Sequence, residues 1–248
     1  NLAYLYAERL NNLDRAFELA QRAREVDPRG PSTADTLGWI HFRRKEYARA
    51  LGLLKESNDK ITNDATVTYH LGMGYYMLGD EAAARTTLER ALSLAPDFAG
   101  AEDARTSLAI LGFDAEARNA NPAILEKASA QRPDPIAQLR LGQLRERAGD
   151  PTKALAAYEA ALQASPDNIK AATNAIRLYA ATGQTAKALE LGKSARKLAP
   201  NDPDVARTLG QVAFSTGDYP WAFNLLQDAS RRISEDPELQ LQLAESAA

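Results

Sequence analysis

The stretch LGMGYYMLGD, residues 71 to 80, places three glycines in ten residues, a density that suits a backbone loop closing around a phosphate. Such a loop runs from a strand into a helix, or ends in a lysine followed by serine or threonine. Neither a strand pattern nor a lysine accompanies these glycines, so the nucleotide reading falls. The chain has two histidines, His41 and His70, and no cysteine. Without an HExxH pattern or paired carboxylates beside them, metal ligation and acid-base catalysis lack their usual company, and packing or capping is the better reading. Ser57 and Ser165 have no base partner legible in the sequence. The run Arg43-Arg44-Lys45 follows Trp39 and Phe42, a mix that can contact nucleic acid. It is three residues long and Glu46 follows at once, which reads as a solvated helix end. No catalytic residue, cofactor site or metal site is assigned, and the chain is read as a non-enzyme.

Charge supports the same exclusions. Thirty basic side chains stand against 33 acidic ones. The first 134 residues hold 17 and 20 of them and the rest 13 and 13, so no basic half is hidden in the average and nucleic acid is not an expected partner. No apolar run approaches the roughly 18 residues of a membrane span, so direct membrane insertion is not expected. The chain opens at Asn1 inside a helical pattern, which reads as a fragment whose targeting segment lies outside it. The compartment, bacterial cytoplasm or periplasm, stays open.

The elements that must position any site are helices. Alanine and leucine supply most of the apolar content and β-branched residues are sparse, a balance that favours helix over strand. The pattern also repeats. Leu37-Gly38 and Leu71-Gly72 are 34 residues apart, and Leu141-Gly142 and Leu209-Gly210 are 68 apart. Ala16, Ala50 and Ala84, then Ala154, Ala188 and Ala222, keep the 34-residue count, as do Pro166 and Pro200. Between the two runs the register slips by two residues, since Leu71 to Leu141 is 70.

Within each unit a first helix stops at a glycine and a second restarts at Asp, as at Gly79-Asp80, Gly149-Asp150-Pro151 and Gly217-Asp218. A glycine past a helix end, then an N-capping Asp, is a stop-and-restart signal. One such helix pair cannot bury its apolar face alone, so stacking must supply the core.

In this period and these columns the chain resembles the tetratricopeptide repeat over nearly its whole length, with residues 135 to 168 as the cleanest copy. The resemblance implies an all-α, right-handed α-solenoid of stacked helix-turn-helix units. We assign units at 1–30, 31–64, 65–98, 99–134, 135–168, 169–202 and 203–236, with a final helix at 237–248. The fourth unit departs from the pattern, having Thr106 where the column asks for glycine or alanine and a break before Pro122. The expected domains are an N-terminal array over 1–111, an irregular linker or long loop at 112–122, and a C-terminal array over 123–248. Gly74 belongs to neither glycine column and is expected to let a helix or a partner approach closely.

The resemblance also implies that first helices line a concave groove. At about 100° per residue, this brings Trp39, Phe42, Tyr69, Met73, Tyr76 and Met77 into one patch that holds both methionines of the chain. Large apolar residues on a face the core does not need mark a binding surface; the alternative is that they pack between adjacent first helices. Later units place Asn174, Arg177, Arg207 and Gln211 at similar offsets. Asn174 matches a position where asparagines of this family bond a ligand backbone. The arginines suit an acidic peptide or carboxylate, or else pair with acids of the array such as Asp204. The function expected is a scaffold that holds a protein or peptide segment in its groove. The alternative is a structural or self-associating module, a homo-oligomer, within a larger bacterial envelope or exopolysaccharide-export protein.

Overall fold

A computed structural model describes residues 2–117, 120–131, 133–233 and 235–247. Among them are fifteen helices and no strand: α1 (Leu2–Glu8), α2 (Leu13–Val26), α3 (Pro31–Arg43), α4 (Tyr47–Lys60), α5 (Ala65–Leu78), α6 (Glu81–Leu94), α7 (Ala101–Leu111), α8 (Ala123–Gln131), α9 (Pro135–Arg147), α10 (Pro151–Ala164), α11 (Ile169–Ala181), α12 (Thr185–Leu198), α13 (Pro203–Ser215), α14 (Tyr219–Ser230) and α15 (Pro237–Ser246). The fold is an all-α helical-repeat solenoid. It divides into two compact units, Asn1–Ala137 and Gln138–Ala248, with the boundary inside α9.

Helices pair because each turn ends one and starts the next. Gly79 adopts φ 79°, the left-handed conformation that costs an L side chain energy. Asp80 then donates its backbone N–H to Tyr75 O (3.1 Å), closing α5, while its carboxylate accepts from Ala83 N–H (3.2 Å), opening α6. Asp150 and Asp218 do both jobs in their own turns, capping α10 and α14. Pairing then follows the small-residue columns. A Cβ on Gly142 would lie 2.3 Å from the Tyr158 ring, and one on Gly72 would lie 2.7 Å from Leu88. The bare backbone at Gly38, Gly72, Gly142 and Gly210 of α3, α5, α9 and α13 is therefore the seat for a large side chain sixteen residues on. Ala16, Ala50, Ala84, Ala154, Ala188 and Ala222 are all fully buried on the second helices.

First helices begin at 31, 65, 101, 135, 169, 203 and 237, every step being 34 except one of 36. The two added residues lie in the connector 95–100, ahead of α7. This corrects the column in the fourth unit: it runs through Leu108, not Thr106. The fourth unit itself keeps 34 residues, because α7 and α8 are short by about as much as the connector 112–122 is long. Gly74 faces the preceding pair, where an added Cβ would sit 3.3 Å from Leu54 and 3.4 Å from Leu51 of α4.

Candidate partner-binding site

In the first unit, α3 and α5 are neighbouring first helices, and the apolar patch expected from the sequence assembles along their contact. The Trp39 indole stacks on Phe42 (4.5 Å, 6° between planes) and on His70 (4.0 Å, 16°), with Tyr69 tilted against it at 5.8 Å. Most polar atoms of the patch find partners about one repeat away. Trp39 Nε1 donates to Glu8 of α1 (2.9 Å), where Arg43 also binds. His70 Nδ1 lies 2.9 and 3.1 Å from the carboxylate oxygens of Asp35. Tyr69 donates to Asp103 of α7 (3.3 Å), and Ser107 Oγ donates to Met73 Sδ (3.7 Å). Tyr76 donates to Asp134 (2.8 Å).

The residues come together as interior. Trp39 is 7% exposed, Tyr69 5%, Met73 2%, Tyr76 0% and Met77 7%, while Phe42 is half-buried. The expectation of an open apolar face is therefore corrected. A first helix inside an array has a neighbour on each flank, so side chains that look superfluous to the helix pair are needed between pairs. Burial, with Glu8 and Asp35 close by, also pushes the Tyr4 phenol up, so it stays protonated beside this layer.

In the second unit, α11 and α13 pack side by side and present Asn174 and Arg177, then Arg207 and Gln211. Arg177, 47% exposed, binds Glu146 at 2.5 Å, and Glu146 also accepts from Tyr158 (3.0 Å). Arg207, 37% exposed, binds Asp236 at 2.5 Å. Asp236 in turn caps α15 through Leu239 N–H (3.0 Å), and that bond, with Arg207, holds its carboxyl below the usual range. Both arginines therefore pair with acids of the array, Arg207 with Asp236 rather than Asp204. The half-buried side-chain amides of Asn174 and Gln211 make no hydrogen bond among the described residues.

Sequence reasoning missed the acids that complete these contacts: Glu8, Asp35, Asp134, Glu146 and Asp236. Most leave a faint signal, an acid and its partner about one period apart, as in Asp35 and His70, which are 35 apart. Among the described residues no three His, Cys, Asp or Glu side chains are placed to hold a metal ion, and no helix is long and apolar enough to cross a membrane.

Comparison with known proteins bears on the fold. Three family models, each described as a tetratricopeptide repeat, match residues 67–97, 115–169 and 146–212, together just over half of the chain. No curated protein matches it in sequence. Among solved structures, yeast Tom70 aligns at 15% identity and a TM-score of 0.51 over 96% of this chain and 59% of its own. The Cut9–Hcn1 hetero-tetramer of the APC/C aligns at 15% and 0.50 over 100% of this chain and 48% of the other. This chain thus spans about three-fifths and about half the length of those structures, and at such identity the likeness is one of fold. The repeat models, the 34-residue spacing of the first helices and the glycine and alanine columns that pair them agree: the chain belongs to the tetratricopeptide repeat superfamily.

Proposed function

We propose that the protein is a non-enzymatic interaction scaffold, and that the row Asn174, Arg177, Arg207 and Gln211 holds an extended segment of a partner protein. The observation that carries this reading is the pair of uncommitted amides on adjacent first helices, each half-buried and flanked by arginine. An amide offers a donor and an acceptor together, which suits a peptide backbone. The salt bridges to Glu146 and Asp236 leave the guanidinium charge largely compensated, so a strongly acidic tail gains less here than the arginines alone suggest. Backbone recognition therefore leads over charge recognition.

Affinity capture with the wild-type chain and with Asn174→Ala/Gln211→Ala tests it. Partners held by the wild type are expected to be lost from the double variant while far-UV circular dichroism is unchanged. Equal capture rejects the placement. A second reading, a self-associating module of a larger bacterial envelope or export protein, draws on exposed leucines: Leu2, Leu5 and Leu10 near α1 and Leu241 on α15, 49 to 63% exposed. A strict monomer across a concentration series in light scattering counts against it.

A further inference from the structure

Glu146 and Tyr158 both depart from the columns they occupy, and the two departures meet. At the place of Glu146 the other repeats carry Phe42, Tyr76, Gly112, Ala180 and Phe214, so the packing of a repeat asks for no carboxylate there. At the place of Tyr158, the side chains seated on Gly38, Gly72 and Gly210 are Leu54, Leu88 and Leu226. Tyr158 brings a ring that needs the bare backbone of Gly142, where an added Cβ would lie 2.3 Å away, and a hydroxyl that leucine lacks. That hydroxyl donates to Glu146 Oε2 (3.0 Å), while Glu146 Oε1 holds the Arg177 guanidinium at 2.5 Å. One carboxylate oxygen is engaged by the core and the other by the groove. All four residues, Gly142, Glu146, Tyr158 and Arg177, lie in the second unit.

Tyr158 is fully buried, and burial, followed by the Glu146 charge, pushes its phenol up, so it stays the donor. An exposed ion pair is ordinarily loose, because two long side chains must be held in one geometry. Here the acid is fixed from behind by a buried hydroxyl. Arg177 lies one helical turn from Asn174 on α11, and Glu146 is its one ion-pair partner among the described residues. Donors remain on the guanidinium for uncharged acceptors, whereas its charge is already met. Asp236 meets the charge of Arg207 in the same way, at 2.5 Å.

We infer that Glu146, held by Tyr158, is a specificity-determining residue of the groove: it occupies on Arg177 the place of a ligand carboxylate, so that the groove takes uncharged, hydrogen-bonding segments and turns acidic ones away. The inference rests on the groove placement proposed above and adds to it the class of segment bound. A ligand carboxylate brought to Arg177 meets a second carboxylate already on the same guanidinium, and like charges at such range repel. A backbone carbonyl or a side-chain amide meets no such opposition.

Two capped peptides that differ only in charge, serine alternating with glutamate or with glutamine, test it by NMR titration at low salt, read on the side-chain amides of Asn174 and Gln211. The wild type is expected to bind the glutamate peptide no more tightly than the glutamine one. Glu146→Gln keeps an acceptor for Tyr158 and is expected to raise affinity for the glutamate peptide about fivefold, the scale of one partly exposed ion pair, with the glutamine peptide unchanged. Adding Arg177→Gln is expected to remove the gain, which a change of packing would not do. Glu146→Ala, the residue α11 carries at this place, keeps the test open if Glu146→Gln fails to fold. A wild type that prefers the glutamate peptide, or Glu146 variants that gain nothing for it, overturns the inference. So does an equal gain in Glu190→Gln, which makes the same change of charge on the second helix α12. Peptide binding that leaves the Asn174 and Gln211 amides unmoved rejects the groove placement instead, a result distinct from these.

Discussion

Ser57 occupies a column of the second helices that elsewhere holds Ala91, Ala161, Ala195 and Ala229. All five are essentially fully buried. The Ser57 hydroxyl has no hydrogen-bond partner among the described residues, so it keeps the cost of leaving water without the return. Ser57→Ala is therefore expected to stabilise the protein by about 1 kcal/mol, measured as a higher urea midpoint at unchanged slope. A lower midpoint would reveal a bonded hydroxyl. At this scale much was legible in the sequence. The Gly-Asp turns and the alanine columns follow from caps and small-residue spacing, because those demands are local. The burial of Trp39, Tyr69, Met73, Tyr76 and Met77 was not legible, because helical periodicity orients a side chain relative to its own pair and says nothing of what the next pair brings. Asp134 was least legible of all: its partner Tyr76 lies 58 residues away, off the one-repeat spacing that links the other acids to theirs.

Between elements, the contacts that tie one repeat to the next recur by column. Arg24 of α2 binds Glu56 of α4 at 2.5 Å, and Arg196 of α12 binds Asp228 of α14 at 2.7 Å. Both pairs join successive second helices across 32 residues, so they tie repeats together rather than closing a pair. The hydrogen bond from Arg24 holds the Glu56 carboxyl below the usual range against the opposing pull of burial, with Lys60 helping. A carboxyl whose folded value is depressed contributes stability that is fully present above its unfolded value, about 4.3, and is lost as pH falls through the folded one. Glu56→Gln keeps an acceptor for Arg24 and removes the charge. The wild type is expected to exceed it by about 0.5–1 kcal/mol above pH ~5, with the gap closing as the pH falls below ~4. Parallel urea titrations across that range check it, and a gap that persists at low pH would assign the effect to packing.

Taken as a whole, the molecule is a sum of repeats, each stabilised by its own pairing and by its neighbours. An interior pair is held from both sides. The pair α13 and α14 packs against α12 on one side and α15 on the other, and α15 buries Leu239 fully while leaving Leu241 58% exposed. α3 and α5 bury seven and eleven residues, α14 and α15 four and one, so local opening is expected to cost less in α14 and α15. The chain's two tryptophans report on the difference. Trp39 is stacked between α3 and α5 and 7% exposed, whereas Trp221 is half-buried on α14 with Lys193 over its ring. In guanidinium, the Trp221 signal is expected to change at a lower concentration than the Trp39 signal. Reading Trp39 alone in Trp221→Phe, and subtracting it from the wild type, separates the two. Because Trp221 is only partly buried, replacing it perturbs the fold less than removing Trp39, which would take from Glu8 one of its two donors. Hydrogen exchange gives a check without mutation: amides of α14 and α15 are expected to exchange well before those of α3 and α5. Coincident transitions and uniform protection would mean that the array unfolds as one cooperative body, with the coupling between pairs outweighing the difference in burial.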